Sequence, residues 1–131
     1  MANDYQTAGT FAVAMLLVLA FAGVARLLRL EKLLYAAGLA LSAFVYPASA
    51  VVASRRGELP LELAGLFIFS TLAFLGGKGN MRWLAIGWGG HALWDVLFPS
   101  APWWYSSGCA VFDIFLSGYI VGNLPVRISQ R

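Results

Sequence analysis

Residues 33–53 read LLYAAGLALSAFVYPASAVVA, a run without one charged side chain, and Ser54-Arg55-Arg56-Gly57 closes it. About 20 largely apolar residues cross the hydrocarbon core of a bilayer as an α-helix, with a usual range of about 17–25. This run therefore predicts a membrane-spanning helix.

Runs of the same kind lie on both sides of it. Toward the amino terminus, Thr7–Ala25 carries no charge and closes with Arg26 and Arg29. Toward the carboxyl terminus, Leu59–Gly77 carries only Glu62, near its start, and ends in Gly76-Gly77-Lys78-Gly79-Asn80. Trp83–Phe98 carries His91 and Asp95 and stops at Pro99, and Tyr105–Leu124 carries Asp113 and stops at Pro125. The sequence thus predicts an all-α, polytopic membrane helix bundle of five transmembrane helices, forming one domain over residues 1–131. The fourth run is the shortest. Its residues rise about 24 Å, short of the roughly 30 Å core. Trp83 at one end, with Trp103, Trp104 and Tyr105 beyond the other, suits the two interfaces; a re-entrant fourth segment is the four-span alternative.

Composition agrees. Charged residues make up 11% of the chain and hydrophobic ones 60%, against about 25% charged in an average soluble domain. Too few charges remain to coat a water-facing surface. The formal net charge is +3, but the basic residues sit in short clusters between apolar runs rather than in a stripe, which excludes nucleic acid as a partner. Cys109 is the single cysteine, so no internal disulfide forms. The opening MANDYQTAGT lacks a basic stretch, and the apolar run after it is longer than a signal-peptide core, so it reads as a retained first span.

Seven of the nine Lys and Arg fall in the first loop, the third loop and the carboxyl terminus; only Arg55 and Arg56 lie in the second loop. The positive-inside rule makes the richer side cytoplasmic, which predicts the amino terminus outside and the carboxyl terminus in the cytoplasm. Gly118 and Gly122 form a small-xxx-small pair expected to admit a close neighbour, as are Gly87, Gly89 and Gly90. Pro47 cannot donate to Ala43, which predicts a kink beside Tyr46.

Charged groups deep in a bilayer cost about 2.5–3.5 kcal/mol each on insertion scales and are functional candidates by default. Four titratable side chains lie inside the predicted spans: Glu62, His91, Asp95 and Asp113. Given the predicted topology, His91 lies about 10 Å below the outer end of its span, Asp95 about 4–5 Å, Cys109 about 6 Å, and Asp113 and Tyr46 about 12 Å. Glu62 is shallow. All six fall in the outer half of the bilayer. His91 and Asp95 are four apart, as are Cys109 and Asp113, so each pair shares a helix face. The short fourth loop makes the two helices antiparallel neighbours, so His91 is expected to face Asp113 and Asp95 to face Cys109. Trp94 shares much of the His91 face.

The stretch Gly87-Trp88 through His91-Ala92-Leu93-Trp94-Asp95, with Ser106-Ser107-Gly108-Cys109-Ala110-Val111-Phe112-Asp113, resembles an uncharacterised family of small bacterial multi-span membrane proteins. That family carries a His-x-x-Trp-Asp motif followed by a Gly-Cys-x-x-x-Asp motif. The resemblance covers roughly the last third of the chain. It implies that His91, Trp94, Asp95, Cys109 and Asp113 act as a unit and that the protein resides in a bacterial inner (plasma) membrane; it supplies no reaction and no cofactor.

Three functions compete. A membrane-embedded enzyme would use acid–base chemistry on a lipid-like or isoprenoid-like molecule, with His91 exchanging a proton, Asp113 orienting it, Asp95 or Glu62 as a second acid or base, and Trp94, Tyr46 and Cys109 binding substrate. A metal site or proton-coupled carrier would draw on His91, Asp95, Cys109 and Asp113 as nitrogen, oxygen and sulfur ligands. A non-catalytic assembly subunit would use the cluster only to fix helix register. Membrane lipid, a small apolar ligand and a second copy of the chain are the partners these readings allow.

Overall fold

The computed structural model describes residues 4–98 and 103–125. Among them are five α-helices: α1 Asp4–Leu27, α2 Glu31–Val52, α3 Leu59–Lys78, α4 Arg82–Leu97 and α5 Trp103–Gly122. Each boundary lies within three residues of the expected run, because charges, glycines and prolines mark where the apolar stretches end. Pro99, Arg127 and Arg131 lie outside the described residues.

Two turns share one chemistry. Arg29, after α1, has φ 57° and Ser54, after α2, has φ 55°, both left-handed and both at non-glycine residues. Each helix end carries the paired bonds of a Schellman motif. Leu30 N–H donates to Ala25 O at 2.9 Å and Arg29 N–H to Arg26 O at 3.1 Å, while Arg55 N–H donates to Ala50 O at 2.8 Å and Ser54 N–H to Val51 O at 3.1 Å. These caps reverse the chain within a few residues and make successive helices antiparallel. Pro47 is buried inside α2, which runs unbroken to Val52.

Each helix buries one narrow stripe at spacings of three and four. The stripes are Ala14, Val18, Ala22 and Ala25 in α1; Tyr35, Leu39, Ala43, Tyr46 and Ala50 in α2; and Glu62, Gly65, Phe69, Ala73 and Gly76 in α3. In α4 Leu84, Trp88, His91 and Asp95 are inward, and in α5 Ser106, Ala110, Asp113, Leu116 and Ile120. Most of the remaining surface is large and apolar, from Leu16 on α1 through Phe67 on α3 to Leu93 on α4 and Ile114 on α5, all exposed. A water-soluble bundle places these groups the other way round. Three helices, α1 (from Gln6), α2 and α3, are long and apolar enough to cross a membrane. At 16 residues α4 is too short by that measure, and α5 is diluted by Ser106, Ser107, Asp113 and Ser117.

Around the bundle, α4 packs against α5 and α3 and also touches α2, while α1 leans chiefly on α5 and meets α2 sparingly. Glycine permits the two closest of these approaches. A Cβ on Gly76 would lie 2.3 Å from Leu84 Cγ and 2.9 Å from the Leu84 backbone nitrogen, and one on Gly87 would lie 2.3 Å from Leu39 Cδ2. Gly118 and Gly122 behave differently from expectation: both are exposed, with nothing within 4 Å of an added Cβ. Their side of α5 turns away from α4 and α1, so they admit no neighbour within the described chain. Polar ties fix the remaining register. Trp88 Nε1–H donates to Tyr35 O at 3.2 Å, joining α4 to α2, and Ser117 Oγ–H donates to Ala85 O at 2.7 Å, joining α5 to α4.

Candidate functional site

The inward stripes of α2, α4 and α5 carry their polar residues to the same level of the bundle. His91 Nδ1 lies 2.7 Å from Asp113 Oδ2, a charge-assisted distance between two helices. Its separation from Asp95 Oδ2 is 3.6 Å, beyond hydrogen-bond reach. Asp95 is held from elsewhere: the Tyr46 hydroxyl donates to Asp95 Oδ1. His91, Asp95 and Asp113 are each 2% exposed or less. One atom from each can be chosen such that all three lie within 4.8 Å of one another. Even with the imidazole charged, two carboxylates against one cation leave a buried negative charge in excess, which a proton or a bound cation neutralises.

His91 Nε2, Asp95 Oδ2 and Ser106 Oγ are buried and have no hydrogen-bond partner among the described residues. Buried polar atoms in native proteins are overwhelmingly partnered, and three of the unpartnered ones fall in or beside this cluster, with Tyr35 Oη and Glu62 Oε2 elsewhere in the bundle. Aromatic rings wall the imidazole: Phe69 meets it edge-on at 5.0 Å between centroids, and Tyr46 lies at 5.9 Å.

Beside this cluster is a cavity of about 630 Å³, within the range of small-molecule sites. It lies where α1 and α2 part, away from their shared turn. Gly9, Thr10, Val13 and Leu17 line it from α1, Leu41, Ser42, Val45 and Tyr46 from α2, and Trp104, Tyr105, Cys109, Phe112 and Asp113 from α5; His91 is the one contribution from α4. The wall is mostly apolar, with Tyr46, His91, Cys109 and Asp113 as a polar patch.

The expected residues divide into three groups. His91, Asp95, Asp113 and Tyr46 come together. Cys109 lines the cavity half-buried but stands outside the three-residue ligand group, and Asp95 faces the Tyr46 hydroxyl where Cys109 was expected. Trp94 and Glu62 lie on the α3 side. The Trp94 ring packs edge-on to Phe69 at 5.8 Å and against Phe98 at 4.7 Å, and it fills the space a Cβ on Gly65 would need, 2.8 Å from Cζ2. It does not line the cavity. Glu62 is buried three residues before Gly65, its Oε2 unpartnered, and makes no hydrogen bond to the cluster.

Sequence reasoning missed the α1 wall, which carries no titratable group to draw attention. It also assigned Tyr105 to the interface, although Tyr105, Cys109 and Asp113 recur at intervals of four and so share a face.

Fold and site define a class: an all-α bundle, three of its helices long and apolar enough to cross a membrane, with a buried His–Asp–Asp cluster beside an apolar cavity. No family model, curated protein or solved structure matches the chain.

Proposed function

We propose that the chain is a five-span integral membrane protein of a bacterial inner membrane, and that its cavity binds a lipid-like or isoprenoid-like small molecule on which His91 performs acid–base chemistry. The observation that carries this reading is the His91–Asp113 pair. An acceptor carboxylate on Nδ1 directs the imidazole proton to that nitrogen, leaving the unpartnered Nε2 to take a proton from a bound molecule. Asp113 orients the ring and stabilises its charged form. The Tyr46–Asp95 pair supplies a second proton-bearing group at the same level. An apolar wall with one polar patch suits an amphiphile whose reactive end meets that patch.

Five spans are supported by the apolar exterior of the two helices that fall short on length or composition. Ile86, Leu93, Val96 and Leu97 of α4, and Ile114, Phe115 and Val121 of α5, are all exposed. The motif pairs His91/Asp95 and Cys109/Asp113, similar to those of small bacterial membrane proteins, add to the reading because three of these residues, His91, Asp95 and Asp113, also meet in space.

Native mass spectrometry from mild detergent tests the proposal. Wild type is expected to carry an organic mass. Val13→Trp, which fills the cavity without touching the polar cluster, should lose it, and His91→Gln should keep it unconverted. A wild-type protein that flies bare after exposure to bacterial lipid extract would overturn the reading.

A second reading rests on one observation, the convergence of His91, Asp95 and Asp113. A first-row metal held at about 2.0–2.2 Å needs ligand atoms roughly 3.4 Å apart; one atom from each of these three lies within 4.8 Å of the others, so small side-chain shifts would be needed to close on an ion. A metal-sized increment that a chelator removes, absent from Asp95→Asn and Asp113→Asn, would establish it in place of the first.

A further inference from the structure

A second cavity, of about 710 Å³, lies at the opposite end of α2 from the His91 cluster. Its mouth is formed by Arg29 in the α1–α2 turn, Lys32 in the first turn of α2 and Lys78 at the end of α3, and its floor runs down the α2–α3 seam over Ala36, Ala40, Ala73 and Phe74. We infer that this groove binds an anionic phospholipid, with the phosphate among Arg29, Lys32 and Lys78 and one acyl chain along the seam.

Charge complementarity is the first support. Three cations face one carboxylate, Glu31, at the mouth, and none of the three cations forms an ion pair among the described residues, where the ion pairs are Arg55–Glu58 and those of His91. All three are exposed, so their charges are available to a headgroup. Their positions are also fixed by the fold. Arg29 sits at the left-handed cap of α1, and Lys32 Nζ donates to Gly79 O at 2.8 Å, tying α2 to the end of α3 beside Lys78.

The shape of the floor selects a lipid over a free phosphate. Small side chains keep the seam hollow while the helices stay close: a Cβ on Gly77 would lie 3.1 Å from Ala36 Cβ. From Lys32 to Ala40 the apolar strip extends about 12 Å. A soluble phosphate would use the mouth and leave that strip idle. Basic pockets between spans are a recurrent mode of anionic lipid recognition, in which each Lys or Arg near the surface adds attraction. The site is independent of the chemistry at His91 and requires only that the bundle lie in a bilayer.

The test is native mass spectrometry of the full chain in mild detergent with equal amounts of phosphatidylglycerol and phosphatidylcholine. Wild type should retain phosphatidylglycerol preferentially. Arg29→Gln/Lys78→Gln, two exposed side chains outside the core, should lower that preference roughly five-fold for each charge removed. Arg55→Gln/Arg56→Gln, at the other end of the bundle, should leave it unchanged. Water-soluble glycerol phosphate should fail to displace the lipid. Equal retention of the two lipids, an equal loss in the Arg55/Arg56 variant, or displacement by glycerol phosphate would overturn the assignment.

Discussion

His91 is bonded through one ring nitrogen and unpartnered at the other, and both facts have energetic consequences. Removing one member of a buried charged pair costs more than the pair itself contributes, because the survivor keeps its desolvation penalty without its partner. Asp113→Asn and His91→Leu should therefore each lower stability by about 1–3 kcal/mol. The double variant His91→Leu/Asp113→Asn should lose less than the sum of its single changes, by a coupling of about 1–2 kcal/mol. Thermal melts of the four proteins in one detergent measure this. Strictly additive losses would mean that the 2.7 Å contact contributes no coupling. Tyr46 belongs at the same scale. It enters the cluster from α2 through Asp95, so the network joins three helices through four side chains. The sequence exposed this partly. Spacing of four put His91 with Asp95 and Cys109 with Asp113 on shared faces, and the short loop made α4 and α5 neighbours. Spacing says nothing of how far each helix rotates about its axis, and that rotation gave Asp95 to Tyr46 rather than to Cys109.

The helices themselves were legible because charges, glycines and prolines interrupt the apolar runs. Which glycines pack was not. Gly118 and Gly122 have the small-xxx-small spacing yet face away from the bundle, while Gly76, one residue of a turn-like Gly-Gly, lies against the backbone of α4. Packing depends on which face meets a neighbour, and a repeat of four marks a face without naming what lies opposite. The contrast yields a prediction. Gly76→Ala forces its new methyl toward Leu84 Cγ and the Leu84 backbone nitrogen, at 2.3 and 2.9 Å before any adjustment. Backbone cannot rotate aside as a side chain can, so α3 and α4 must separate at this end, at a cost of about 1–3 kcal/mol. Gly118→Ala meets nothing and gains helix propensity, so its stability in detergent should equal or slightly exceed that of wild type. Matching melts for the two alanine variants would contradict the close α3–α4 approach.

At the scale of the whole molecule, polar groups are gathered inside and apolar ones face out, and basic residues divide unequally between the two ends. Arg26, Arg29, Lys32, Lys78 and Arg82 share one end by the antiparallel order of the helices, and Arg55 and Arg56 hold the other. Arg26 Nη1 donates to the Tyr119 hydroxyl at 3.2 Å, drawing the end of α5 to the first group. The positive-inside rule predicts that end to be cytoplasmic, and on that prediction the His91 cluster and its cavity would lie in the outer half of the bilayer. The single cysteine makes this directly testable, since Cys109→Ser gives a cysteine-free background in one change. Gly57→Cys in the α2–α3 turn, where an added Cβ meets nothing, should react with a membrane-impermeant maleimide on intact cells. Leu28→Cys in the α1–α2 turn, whose side chain is exposed, should react only after the membrane is opened. The reverse pattern would invert the bundle and move the cavity to the cytoplasmic half. Labelling of both sites on intact cells would deny that α2, which links them, crosses the membrane, and the five-span arrangement would fall with it.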